Sequence, residues 1–369
     1  MNRELLEETI ILRHELHRHP ELSGQEVNTK KFLMEMISED TDLEVCDRGS
    51  WFYAYYDSGR PGARNVAVRA DMDALPMADI SGLEYCSETA GISHRCGHDG
   101  HSAVLYGLAR MISEKGAASN VFFIFQHGEE TGLGAAECAE LIDEKNIDEM
   151  YAFHNWSGFP ESAVVLKEGT VMCASEGLRV IMKGKPSHAS RPEDGASPAF
   201  ALSRIVAKAG ELEEPGKTMA TVVGINCGGA NFGMMPGEGE VDITLRALRE
   251  EDMAALEKGL TELAEAAGSE AGLEVSIEKV DVFPETRNDK ESVAKVAEAA
   301  GRLGLEICRM KEPIRSSEDF GWYQKKCSGA MIFIGNGEDY PQVHTEKYDF
   351  NDNIIEVAVQ LLYEIIMEA

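Results

Sequence analysis

Apolar residues recur at helical spacing near the start of the chain, at Leu5, Leu6, Ile10, Leu12 and Leu16, with charged residues between them. This predicts a first helix that stops at His19-Pro20, because proline cannot continue it. A second helix follows to about residue 40, with Ser23 placed to cap it. Short strand-like runs come next at 43–47, 51–57 and 64–70, then a helical stretch at 99–113. Val121-Phe122-Phe123-Ile124-Phe125 is an unbroken apolar run, the pattern of a strand buried on both faces. A helix at 133–145 and a strand at 149–153 continue the alternation, which indicates an α/β sheet.

The pattern changes near residue 176. A strand at 176–184, a helix at 196–212, strands at 219–226 and 239–248, a helix at 250–268 and a strand at 273–281 give the order βαββαβ, the ferredoxin-like unit. It reads as an insertion at 176–285, with Val282-Phe283-Pro284-Glu285-Thr286 as the return linker. Residues 1–175 and 286–369 then form one domain, completed by a helix at 289–303, a strand at 328–334 and an amphipathic helix at 353–368.

At 369 residues with 43% hydrophobic content, the chain is long enough for two domains with sizeable cores. The net charge of −30 disfavours binding to nucleic acid or to anionic membranes. Eight scattered cysteines without a CxxC pair read as reduced thiols, and no apolar run is long enough to span a bilayer. A cytoplasmic location is expected.

Cys96-Gly97-His98-Asp99-Gly100-His101 packs a thiol, two imidazoles and a carboxylate into one short loop. Further candidate ligands lie at predicted strand ends: Asp71 and Asp73 after 64–70, Glu129 and Glu130 after 121–125, His154 after 149–153, and His344 after 328–334. The C-terminal edge of an open α/β sheet is where sites form. Adjacent carboxylates repel, and a cation relieves that cost. Glu130 suits a metal ligand, and Glu129 a base facing a metal-bound water. Thiolate, imidazole and carboxylate together suit zinc best, with manganese or cobalt as alternatives. His101 falls in the predicted helix and suits packing or support of a ligand. A lone His188 is ordinarily structural, and His14, His17, His19, His94 and His127 read as surface, helix or supporting residues.

Taken together, these motifs resemble the amidohydrolase branch of the aminoacylase/carboxypeptidase-G metallopeptidases, which includes hippurate hydrolases and indole-acetyl-amino-acid hydrolases. Five segments carry the resemblance in order: LHRHPELSGQE at 16–26, RADMDALP at 69–76, CGHDGH at 96–101, FQHGEE at 125–130 and VHTEKYDFND at 343–352; SSEDF at 316–320 is typical too. The resemblance implies a catalytic domain with two divalent metals and an inserted lid that also forms a homodimer. It implies Cys96, His98, Glu130, His154 and His344 as metal ligands and Glu129 as general base. It further implies His188 as an oxyanion donor to the partner subunit's site and Arg246 as a contact for the substrate carboxylate. Asp71 and Asp73 become supports for the ligands. The implied reaction is amide hydrolysis of N-acyl amino acids or short peptides. A dipeptidase of the same class and a non-catalytic metal- or amino-acid-binding paralogue are the rivals. Three places depart from the branch: His127-Gly128 before the two glutamates, the run His154-Asn155-Trp156-Ser157-Gly158, and Gly233 where a lid asparagine is expected, with Asn231 nearby as the substitute.

Overall fold

The structure, a computed structural model, describes residues 1–368. Two compact units are present. One comprises Met172–Glu285 and Pro313–Glu318, and the other the remaining described residues.

The larger unit is built on an eight-stranded mixed sheet. Its centre is four parallel strands in the order Asn120–Gln126, Asn65–Asp71, Glu149–Trp156 and Ser328–Gly335. Strands Phe52–Tyr56 and Glu44–Asp47, each antiparallel to its inner neighbour, extend one side; on the other, Val164–Leu166 pairs antiparallel with Ser328–Gly335 and Ile307–Arg309 pairs parallel with Val164–Leu166. Val121, Phe123 and Phe125 are wholly buried, as their unbroken apolar run predicts. Each such side chain contributes roughly 1.5–3 kcal/mol of transfer free energy. Helix His98–Lys115 is buried along most of its length between the sheet, the first helix Arg3–Arg18 and the last helix Ile355–Glu368.

The smaller unit has the element order predicted for the insertion. Strand Ala174–Lys183, helix Ala199–Ala209, strands Thr218–Cys227 and Glu238–Ala247, helix Glu250–Ala271 and strand Glu274–Phe283 follow one another. The sheet order is 218–227, 238–247, 174–183, 274–283, all antiparallel. Leu178, Val180, Ile243, Leu245, Leu256 and Leu260 form its separate core.

Several local expectations need correction. Ser23 does not cap the second helix, Val27–Asp40; Glu26 holds that position, and the Ser23 hydroxyl donates to Asp73 Oδ2 at 2.6 Å. The helix expected at 133–145 is two helices, Gly134–Cys138 and Glu140–Lys145, because Ala139 ends one and opens the other. His154 lies inside strand Glu149–Trp156 instead of after it. The return linker shrinks, since Phe283 still pairs with Ser175 and Thr286–Asn288 is itself a strand. The compact unit also begins earlier than residue 176 and takes in the detached piece Pro313–Glu318.

Buried charges tie the first helix to the one that begins at His98. Arg13 and His17 are fully buried and both meet Asp99 Oδ2, at 3.0 and 2.7 Å, and His17 Nε2 lies 3.1 Å from Asp79. His17 is therefore no surface residue. Burial opposes its proton, but Asp99 and Asp79 outweigh that and raise its pKa to about 9. A histidine held above its unfolded value stabilises most below pH ~6.5, and that stability is lost as pH rises through about 9. The shift corresponds to about 3 kcal/mol. In urea unfolding, the gap between the parent and His17→Gln should narrow from pH 7 to pH 10; a constant gap would refute this ion pair's role.

Candidate metal centre

The C-terminal edge of the parallel strands gathers the predicted ligands of the larger unit. Asp71 closes one strand, and Asp73 follows it. Glu129 and Glu130 occupy a single turn, Glu129–Thr131, after the strand that ends at Gln126. Cys96 and His98 bracket Gly97 at the start of the buried helix. Gly97 has φ 101°, and a Cβ there would lie 2.5 Å from Asn155 Oδ1 and 2.8 Å from the Tyr348 hydroxyl. Only glycine lets this loop press so close to the neighbouring strand.

Donor atoms of Cys96, His98 and His154 lie within 4.8 Å of one another, and so do those of Cys96, Glu130 and His344. His98, Glu129 and Glu130 form a third such group. The first two share Cys96. Cys96 Sγ is 3.4 Å from His154 Nε2, and Glu130 Oε1 is 3.4 Å from His344 Nε2. His344 is half-exposed and sits at φ 60°, an uncommon conformation for a residue with a Cβ, held by its N–H donating to the Arg95 carbonyl at 2.7 Å.

His98 and His154 each have one nitrogen held by a backbone or carboxylate oxygen and the other turned towards the donor cluster. His98 Nδ1 faces the Asp73 carbonyl and carboxylate at 3.0 and 3.1 Å. Its Nε2 is buried without a hydrogen-bond partner, 3.7 Å from Glu129 Oε2 and 3.9 Å from Glu130 Oε1. Glu130 Oε1 is likewise buried without a hydrogen bond. His154 Nδ1 meets the Asn155 carbonyl at 2.7 Å, which leaves Nε2 towards Cys96. Metal-binding histidines are oriented in this way. Two orphaned buried polar atoms at the focus of a thiol, imidazoles and carboxylates fit a divalent cation.

The electrostatics agree. Burial opposes charge on His98, yet Asp71 and Asp73 with Glu130 raise its pKa to about 10. The proton on His98 partly neutralises a crowd of carboxylates. His154 is pushed the other way, by burial and then by neighbouring His101, so it stays neutral and able to coordinate.

Other residues support the candidate ligands. Asp71 is occupied by Arg69 and by His101 Nδ1, each at 2.6 Å. His101 Nε2 contacts Asn155 Oδ1 at 2.6 Å, so both of its nitrogens are engaged. Glu26 was not singled out from the sequence. It is buried, and its Oε1 accepts from Gly128 N–H at 2.7 Å, while Asp73 Oδ2 accepts from Glu130 N–H at 3.0 Å. Two carboxylates thus grip the backbone of the two-glutamate turn. Burial and then Asp73 raise the Glu26 pKa to about 7. Gly128 and Gly132 flank the turn with φ 58° and 68°, which explains a glycine directly before Glu129.

In the smaller unit, His188 is exposed on a two-residue strand paired with Met234–Met235. Its Nδ1 accepts from Ser190 N–H at 3.1 Å, which puts the proton of the neutral ring on Nε2. Asn231 is exposed, and its side chain accepts from Gly233 N–H at 3.0 Å. Arg246 is half-buried and donates to the Ser317 hydroxyl at 2.8 Å.

Residues 67–368 match the family described as peptidase family M20/M25/M40. The chain belongs to this family. Among M20 relatives, it is 28% identical to an N-acetylcysteine deacetylase of Bacillus subtilis, over 96% of this chain and 95% of the relative. It is 27% identical to the hippurate hydrolase of Campylobacter jejuni, over 93% and 92%. A Bacillus subtilis M20 peptidase described as binding a dinuclear metal superposes with a TM-score of 0.84 at 26% identity, covering 100% of this chain and 99% of that one. The M20 fold therefore extends over the whole chain.

Proposed function

We propose that this M20 protein is a metal-dependent amidohydrolase that cleaves the amide bond of N-acyl amino acids. One observation carries the reading: His98 Nε2, buried and without a hydrogen bond, points between Glu129 and Glu130 while Asp73 holds its other nitrogen. Cys96, His98, Glu130, His154 and His344 hold two divalent cations, and zinc suits their donor set best, ahead of manganese or cobalt. When bound, the cations lower the pKa of water towards ~7 and polarise the scissile carbonyl. Glu129 takes the proton from the attacking water and returns it to the leaving amine. Glu26 and Asp73 keep that carboxylate in place through the backbone of its turn. His188 donates Nε2–H to the developing oxyanion, in the site of a partner subunit. Arg246 fixes the substrate's α-carboxylate, and Asn231 adds a polar contact.

A homodimer through the smaller unit is supported by Thr218–Cys227, an edge strand that exposes Met219, Val223 and Ile225. A cytoplasmic setting is supported by eight cysteines without a disulfide among the described residues. No described helix is long and apolar enough to cross a membrane.

The relatives named for N-acetylcysteine and hippurate point to acyl amino acids over dipeptides. Amine release from a panel of N-acyl amino acids and dipeptides decides between them. Turnover of the acyl compounds is expected, and turnover of dipeptides alone would move the assignment to a dipeptidase.

A further inference from the structure

The smaller unit contains a cavity of about 200 Å³ whose wall includes Cys173, Glu213, Lys217, Met219, Arg246 and Arg315. Its charge runs against the molecule's. In a chain of net −30, three cationic side chains here meet one carboxylate. Two of these four groups have partners of their own. Lys217 pairs with Glu214 at 2.8 Å, and Glu213 Oε1 accepts from Ala220 N–H at 2.7 Å.

The two arginines differ. Arg246 Nη1 donates to the Ser317 hydroxyl and, at 3.1 Å, to the Arg315 backbone carbonyl. Both acceptors are neutral, and the second holds the Arg315 backbone beside Arg246. Neither guanidinium forms an ion pair among the described residues, although the chain has 65 acidic ones. Burial lowers the Arg246 pKa, and no carboxylate offsets it. Burial raises the Cys173 thiol, while Arg246 and then Arg315 pull it down and Glu285 pushes it up, so both cations act on one point in the cavity wall. A partly desolvated guanidinium without a counter-ion costs free energy unless a ligand supplies one.

We propose that Arg315 supplies a second anion contact beside Arg246, so that the site selects acidic N-acyl amino acids, with a carboxylate on the side chain as well as at the α-carbon. This rests on the reading of Arg246 as the α-carboxylate anchor. The bond from Arg246 to the Arg315 carbonyl holds the two residues side by side in the wall of one cavity. A cavity of about 200 Å³ suits a short acidic side chain, and Met219 offers an apolar wall to its methylenes. Guanidinium binds carboxylate in a planar fork, which favours a charged oxygen pair over a neutral amide.

The test compares kcat/KM for N-acetylglutamate and N-acetylglutamine, which differ in charge and hardly in size. The parent should prefer the acid by about tenfold or more, as expected for a charged hydrogen bond. Arg315→Met should bring the ratio close to one. Arg315 is exposed, so this variant should fold. A parent ratio at or below one overturns the proposal, and so does a preference that survives the substitution. If neither compound is hydrolysed while another N-acyl amino acid is, the proposal is overturned; if no N-acyl amino acid is hydrolysed, the amidohydrolase reading fails separately, and calorimetric binding of glutarate against butyrate decides. Tighter glutarate binding that Arg315→Met abolishes supports the second anion contact; equal binding in the parent overturns it.

Discussion

Glu129→Gln should lower kcat by about a thousandfold, within the range for loss of a general base, and should leave bound metal unchanged. The substitution keeps the size of the side chain and its acceptor oxygen. What it removes is the capacity to take a proton. Glu129 Oε2 lies 3.7 Å from the orphaned His98 Nε2, close enough to address a water held at the same focus. The alternative role is also geometric, because Glu129 belongs to one of the ligand groups with His98 and Glu130. Two readouts separate the roles. A base gives lost turnover with full metal content, and a ligand gives both losses together. Activity comparable to the parent would remove Glu129 from the mechanism. KM should move little, since the substrate is anchored elsewhere.

Much of the candidate site is legible in the sequence because its candidate ligands come in short runs at strand ends. Cys96 with His98 and Glu129 with Glu130 are each fixed by local chain geometry, and a repeating α/β pattern brings such ends to one edge. The inserted βαββαβ unit was readable for a similar reason, since its elements are long and strongly periodic. What stayed hidden depends on contacts between distant segments. Ser23 has the right chemistry for a helix cap, but Asp73, fifty residues on, competes for its hydroxyl and wins. Glu26 looks like an ordinary helix-start carboxylate until the fold sets it against Gly128. His17 has nothing in its neighbourhood to announce Asp99 and Asp79. The sequence places His154 after its strand, whereas the strand continues through polar Asn155, which is buried and bonded to His101 and to the Tyr348 hydroxyl. The segment Pro313–Glu318 joins the smaller unit through pairing such as Met172 with Ile314, which no local pattern encodes.

Removal of metal should have an effect as large as loss of the base. Without cations, Asp71, Asp73, Glu129 and Glu130 crowd around a protonated His98 whose pKa is about 10. Coordination by His98 requires that proton to leave. Metal uptake should therefore release protons and tighten as pH rises. The measurement that bears most directly on the central claim is amine release from an N-acyl amino acid while zinc is titrated into chelator-treated protein. Turnover should start at least ~10³-fold below the loaded enzyme, the worth of several kcal/mol of transition-state stabilisation. It should reach its plateau as two equivalents bind. Turnover that is indifferent to chelation, or absent with both equivalents bound, would contradict a metal-dependent amidohydrolase.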